Sequence, residues 1–172
     1  MLQLSVSFIN QPIMSLRTGT EVSRAYGPII NPNNLKVEGF YCQDPTSRKN
    51  NLVLLNQDVR DIIPQGIVVN DSDVLVDASD LVRLKEIISY HFELIGKPVV
   101  DTNGKKLGKI EDYSVDVESL YIQKLYVAQS MFKSFTGGNL GIDRSDIIEI
   151  TEKKIVIRES MRKNPIRAEV TA

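Results

Sequence analysis

Short apolar runs and alternating apolar and polar residues follow one another along most of the chain, a pattern typical of β-strands. The clearest case is Pro98-Val99-Val100, followed by Asp101-Thr102-Asn103-Gly104 and then by Lys106 to Ile110. An Asn-Gly pair between two apolar runs predicts a β-hairpin whose two central residues both have positive φ. Tyr113 to Val117 and Leu120 to Val127 predict further strands, rich in β-branched and aromatic residues. Together these segments predict a small barrel or sandwich.

The order of these features occurs twice along the chain, at an offset of about 85 residues. Gly19 aligns with Gly104 after a one-residue gap, and the clearest match is Asp58 to Ile63 with Asp143 to Ile148. Each copy is predicted to close with two short apolar runs separated by a polar turn. The other matches are Gln11-Pro12-Ile13-Met14 with Lys97-Pro98-Val99-Val100, Leu35-Lys36-Val37 with Leu120-Tyr121-Ile122, and the closing runs Ile67–Val69 and Val74–Val76 with Ile147–Ile150 and Ile155–Ile157.

Between the copies the apolar spacing changes to that of an amphipathic helix. The apolar positions recur at intervals of three or four residues: Leu81, Leu84, Ile88 and Phe92. Asp77, Ser79 or Asp80 is expected to cap the start of this helix, and Gly96 to follow its end. The predicted organisation is a first β-domain over 1–77, a connecting helix over 78–92, a second β-domain over 93–159 and a polar, frayed C-terminal tail over 160–172.

Composition and charge narrow the classes of function. The chain has 172 residues, of which 42% are hydrophobic and 25% charged, as in soluble globular proteins. Residues 1–77 carry six Lys and Arg against eight Asp and Glu, and residues 78–172 carry fifteen against fourteen, so neither half is a basic nucleic-acid-binding module. With a single cysteine, no signal peptide and no apolar stretch near the roughly 20 residues of a membrane span, we expect a cytoplasmic protein without membrane insertion.

Residues 94–112 resemble the opening of a PRC-barrel domain. They read Leu94-Ile95-Gly96-Lys97-Pro98-Val99-Val100, then the Asn103-Gly104 turn, then Leu107-Gly108-Lys109-Ile110-Glu111-Asp112. That family begins with Gly-x-x-Val, a Gly-containing turn, then Leu-Gly-x-Val/Ile and an acidic residue. The resemblance covers residues 93–158. It extends to residues 9–77 through the repeat, where Ser23 replaces Gly108 and the Asn-Gly turn is missing. It implies a mainly β fold, with two small PRC-barrel-like β-barrels in tandem joined by one amphipathic α-helix.

The resemblance also implies docking onto other macromolecules. PRC-barrels occur in the cytoplasmic part of the photosynthetic reaction-centre H subunit, in the C-terminal domain of a small-subunit ribosome-maturation factor, and in stand-alone prokaryotic proteins. The leading hypothesis is therefore a non-catalytic adaptor or scaffold that docks to a protein partner or self-associates through its barrel surfaces. The alternative is a ribosome- or RNA-processing-associated factor, because Tyr90 to Gly96 resembles the entry into the ribosome factor's PRC domain.

Few residues offer catalytic chemistry. His91 is the only histidine and Cys42 the only cysteine, which excludes the common zinc sites. We interpret His91 as structural and Cys42 as a small core residue. The repeated Asp-x-x-Asp pairs, Asp58/Asp61 and Asp143/Asp146, could bind a cation or act as acid and base, but turn capping and local ion pairing with Arg60 and Arg144 is the favoured interpretation. We expect no enzyme activity, cofactor, metal or small-molecule substrate.

One segment of the second copy is unusually apolar for a connection between strands. It carries Met131, Phe132, Phe135 and Leu140, whereas the matching segment of the first copy, residues 44–51, is polar. The four apolar side chains either form a contact patch for a protein partner or a second subunit, or fold back onto the barrel as core. They are the candidate partner-binding residues.

Overall fold

The computed structural model describes residues 1–47, 51–128 and 140–159, which are mainly β-structure, as predicted. The strands are β1 (Leu2–Leu4), β2 (Gln11–Ser15), β3 (Glu21–Ile30), β4 (Val37–Gln43), β5 (Leu52–Leu55), β6 (Val59–Ile63), β7 (Gly66–Val69), β8 (Leu75–Asp77), β9 (Pro98–Asp101), β10 (Lys106–Asp116), β11 (Ile122–Ala128), β12 (Leu140–Asp143), β13 (Ile147–Ile150) and β14 (Ile155–Ile157). A single short α-helix, α1 (Lys85–Ser89), occurs in these ranges.

The chain divides into two compact units. The first comprises residues 1–92 together with 116–121, and the second comprises residues 93–115 and the chain from Ile122 onward. The first sheet has the strand order β6-β7-β2-β3-β4-β5-β8, and the second contains the path β13-β14-β9-β10-β11-β12. Strand for strand the two orders correspond, and each includes one parallel pair, β2 with β7 and β9 with β14.

Irregularities of strand pairing fall at equivalent positions in the two sheets. In the β3–β4 pair the register shifts between Ala25 and Gly27, and in the β10–β11 pair it shifts 85 residues later, between Ile110 and Asp112. The β6–β7 and β13–β14 pairs likewise shift directly after Val59 and Ile147. Because a bulge bends and twists the strand that contains it, shared bulges mean a shared backbone path. The two sheets therefore share their strand order and the positions of these irregularities.

The sequence alignment of the two copies is wrong near their C-terminal ends. Asp58 ends a 3₁₀ turn directly before β6, and Asp146 ends the equivalent turn before β13, so Asp58 corresponds to Asp146 and not to Asp143. The closing hairpin of the first copy is likewise β6–β7 and does not include the run at Val74 to Val76, of which Leu75 and Val76 belong to the additional strand β8. The cause is the connection before β12, which has three more residues than the connection before β5 and moves the offset from 85 to 88.

A leucine with left-handed backbone conformation occupies the same turn in both copies. Leu35 has φ 57° and Leu120 has φ 56°, and both side chains are buried. The Leu35 amide donates to the carbonyl of Asn31 at 2.9 Å, and the Leu120 amide donates to that of Asp116 at 2.7 Å. This conformation costs about 1–2 kcal/mol in a non-glycine residue. Burial of the leucine side chain offsets that cost, which explains why neither turn uses glycine.

The predicted hairpin after Val100 is present, but its turn differs from the predicted one. Gly104 has φ 79°, whereas Asn103 does not have positive φ, so one residue and not two is left-handed. The Asp101 carboxylate accepts the amides of Asn103 and Lys105 at 3.0 and 2.9 Å and holds the turn from within. In the first copy the Ser15 hydroxyl takes this place and accepts the Thr18 amide at 3.2 Å.

The connecting helix predicted over residues 78–92 is wrong in extent. A 3₁₀ turn over Ala78–Asp80 is capped by Asp77, and α1 contains five residues, none of them buried. His91 then adopts φ 44°, which ends the helical path before Gly96. Nucleating a helix is unfavourable, and a segment this short needs tertiary packing to extend it. The residues of the predicted apolar face are only half-buried, so the face is not packed strongly enough to do so: Leu81, Leu84, Ile88 and Phe92.

Candidate docking surfaces

The predicted partner-binding segment is only partly described. Met131, Phe132 and Phe135 lie outside the described residues. Leu140 is the first residue of β12, where it pairs with Val127 and is 7% exposed. Its side chain therefore belongs to the core of the second unit, which is the second of the two interpretations made from sequence.

A different apolar surface lies at the start of the chain, here named the N-terminal apolar segment. It consists of Leu2, Leu4, Val6 and Ile9, which are between 44% and 63% exposed. Phe8, within the same stretch, is 1% exposed, and its ring stacks on that of Phe40 with 5.9 Å between centroids.

The buried ring of Phe8 anchors this segment while its neighbours face outward. The polar residues of this segment, Gln3, Ser5 and Ser7, are less exposed than the apolar residues between them. The apolar side chains of the alternating sequence therefore face the solvent. In the structure Leu2–Leu4 is a strand and Ser5–Phe8 is a 3₁₀ turn. The alternation of apolar and polar residues in the sequence does not say which face is buried, because both registers have the same period. Sequence reasoning therefore missed this surface.

Two tyrosines stack on a strand pair of the first unit. Tyr26 lies at the bulge of β3, and its ring is 5.7 Å from that of Tyr41 on β4. Tyr26 is 37% exposed, and burial raises the pKa of both phenols, so each stays protonated at neutral pH. The equivalent residues of the second unit are Glu111 and Tyr126, so the aromatic pair distinguishes the two copies.

Cys42 and His91, the single cysteine and the single histidine of the chain, both have local contacts. Cys42 is fully buried, its thiol donates to the Phe40 carbonyl at 3.3 Å, and burial raises its pKa to about 12. The prediction that Cys42 is a core residue is confirmed. His91 is exposed, and its Nδ1 lies 3.0 Å from the carbonyl oxygen of Ser89, two residues earlier in the chain.

The carboxylates of the Asp-x-x-Asp pairs have local structural contacts. Asp61 accepts the amide of the next residue at 2.8 Å, and Asp143 pairs with Lys124 at 3.4 Å. Arg60 donates to the side chain of Asn70 at 3.0 Å, so the predicted pairing of Arg60 with these aspartates is not the contact found. Since Asp58 and Asp143 are not equivalent, the two pairs are not one repeated site.

Two further properties concern the described part of the chain. No group of three or more His, Cys, Asp or Glu side chains there is placed to hold a metal ion. No helix there is long and apolar enough to span a membrane.

The second copy also matches a known family. No curated protein matches the chain. Residues 86–161 match the family model described as PRC-barrel domain, a stretch that contains β9 to β14. This agrees with the resemblance inferred from the Gly96 to Asp112 motif. The chain therefore contains a PRC-barrel domain over residues 86–161.

Proposed function

We propose that this protein is a non-catalytic adaptor that carries two PRC-barrel domains in tandem and docks to a protein partner. The first unit is the diverged copy. Its strand order, its parallel strand pair and its bulges correspond to those of the PRC-barrel domain over residues 86–161.

The observation that carries the docking role is the exposure of the N-terminal apolar segment. Four aliphatic side chains close together in the sequence have about half of their surface exposed to water, and this exposure costs free energy in a monomer. Clustered apolar exposure of this kind is typical of protein–protein contact sites, whereas single exposed aliphatic residues are common everywhere. Met131, Phe132 and Phe135 are proposed as a second contact, on their sequence alone.

The experiment compares tagged wild-type protein with a Leu2→Thr, Leu4→Thr, Val6→Thr variant in affinity purification from the native cell. Leu2 and Leu4 lie in β1, where β-branched threonine suits a strand, and at Val6, in the 3₁₀ turn Ser5–Phe8, threonine keeps the β-branched shape of valine. All three substitutions remove apolar contact. A Leu16→Thr variant is the matched control, since Leu16 is 65% exposed in the turn after β2. We expect the triple variant to lose specific partners that the control retains, with unchanged circular-dichroism melts of both.

Each preparation is repeated after nuclease treatment. A partner that survives nuclease and depends on the apolar segment supports the proposal. Capture that disappears with nuclease, or that is equal for all three proteins, contradicts it. A parallel Phe132→Ser, Phe135→Ser variant tests the second contact, and a collapse of its melt would show that these rings are core residues.

A further inference from the structure

The outer edge of β12 has a counterpart in the first unit, and that counterpart is covered. Strand β12 corresponds to β5, because each pairs antiparallel with the preceding long strand and leads into a 3₁₀ turn and the closing hairpin. Leu140 occupies the position of Leu52, and Ile142 that of Leu54. The two edges therefore have the same backbone setting.

In the first unit β8 covers this edge as an added antiparallel strand. Leu75, Val76 and Asp77 pair with Leu54, Val53 and Leu52, respectively. The Asn51 side chain donates to the Asp77 carboxylate at 2.7 Å, and the Ala78 amide donates to the Asn51 carbonyl at 2.9 Å. The structure thus shows the kind of segment that fits here: two apolar residues and then a carboxylate, in extended conformation.

In the second unit β12 ends its sheet and pairs with β11 alone, within the ranges that the structure describes. An uncovered edge presents backbone amide and carbonyl groups that can pair with another strand. Gly141 stands where β5 has the buried Val53. A glycine inside a strand lets another backbone approach closely, which favours an added strand at this position.

We propose that the outer edge of β12 binds an extended segment of a partner protein as an added antiparallel strand. This inference rests on the proposed adaptor function and names one binding site for it. The segment has two apolar residues followed by a carboxylate, like β8. It comes from another protein because the described strands with this pattern, β8, β9 and β13, are already paired within the chain's own sheets. Backbone hydrogen bonds supply the affinity in this mode, and the alternating side chains supply the selectivity.

The test uses the full-length ¹⁵N-labelled protein and a synthetic peptide with the sequence of residues 71–79, which contains β8. The control peptide carries Val76→Pro, which removes a backbone donor and disfavours strand pairing. We expect the amide signals of β12 to shift in a saturable manner, with a dissociation constant on the order of 1 mM or tighter. The signals of β5 serve as an internal control and stay unchanged, because β8 occupies that edge.

Three results would overturn the inference: no shift in β12 at peptide concentrations well above about 1 mM, an equal response to both peptides, or protection from hydrogen exchange in the free protein of those β12 amides that point away from β11. In the last case, light scattering that reports a dimer would assign the edge to a second copy, and a monomer would assign it to the chain itself. The adaptor proposal is tested separately, by the affinity purification with the Leu2, Leu4 and Val6 variant. Partner capture with no peptide response therefore rejects only the strand-binding site.

Discussion

Replacing Gly108 with alanine tests the backbone geometry that distinguishes the second barrel from the first. Gly108 has φ 156°, and a Cβ at this position would collide with the carbonyl oxygen of Ala128 on the neighbouring strand. In the first copy Ser23 occupies this position without positive φ, and its hydroxyl donates to the Gln43 carbonyl at 2.6 Å. The first copy therefore accommodates a side chain at a position where the second requires glycine.

Two costs add up in Gly108→Ala. The backbone conformation at φ 156° is used almost only by glycine and costs about 1–3 kcal/mol for a residue with a Cβ. Displacing a packed backbone atom to make room for the methyl group costs about 1–3 kcal/mol more. We therefore expect the second unit to lose about 2–6 kcal/mol of unfolding free energy. For a unit of this size each kcal/mol lowers Tm by about 4–8 °C, so the Tm should fall by at least about 8 °C.

The matched control is Gly104→Ala. Gly104 has φ 79°, but no atom lies within 4 Å of the position that an added methyl group would take, so only the conformational cost applies. Thermal unfolding followed by circular dichroism, with both variants in the full-length chain, gives the comparison. A loss for Gly108→Ala no larger than that for Gly104→Ala would refute the argument that close approach of two strands requires this glycine.

Three further outcomes follow from buried or charged groups. Ser114→Ala is expected to raise the unfolding free energy by about 1 kcal/mol in urea titrations, because the buried Ser114 hydroxyl has no hydrogen-bond partner among the described residues. A clear decrease in unfolding free energy would show that the hydroxyl does have a partner. Cys42 should resist iodoacetamide at pH 8 until denaturant is added, since burial holds its pKa at about 12 and leaves little thiolate; labelling of the native protein would contradict this. Hydrogen bonds from the Ser119 hydroxyl and the N-terminal amine lower the pKa of Asp116 to about 2. Because the pKa is lowered, the ionised carboxylate stabilises the fold above about pH 4, and this contribution disappears as the pH falls toward 2. The unfolding free energy of the wild type should therefore exceed that of Asp116→Asn at pH 5, and the two should converge in acid. A difference that stays constant with pH would contradict this.

The docking surfaces show why sequence reasoning found candidates in one place and the structure in another. Apolar and aromatic residues are unusual in a connection between strands, and for this reason the sequence predicted a contact at Met131, Phe132, Phe135 and Leu140. The same signal cannot separate a strand residue from a loop residue, and Leu140 is part of β12. In the N-terminal segment the alternation was visible, but the direction of its apolar face depends on what the rest of the chain places beneath it. Phe8 decides that direction by packing on Phe40, a contact between residues 32 positions apart.

Three local features could be predicted from the sequence and are present in the structure: mainly β-structure, the hairpin around Gly104 and the burial of Cys42. Such features depend on period, turn residues and side-chain polarity, which act over a few neighbours. Tertiary structure decided the rest. The connecting segment is only briefly helical because helix length depends on packing. Three features depend on strand pairing: the equivalence of Asp58 with Asp146, the additional strand β8, and the position of β12 at the end of its sheet within the described ranges. Strand pairing joins residues far apart in sequence, and short apolar runs do not encode their partners.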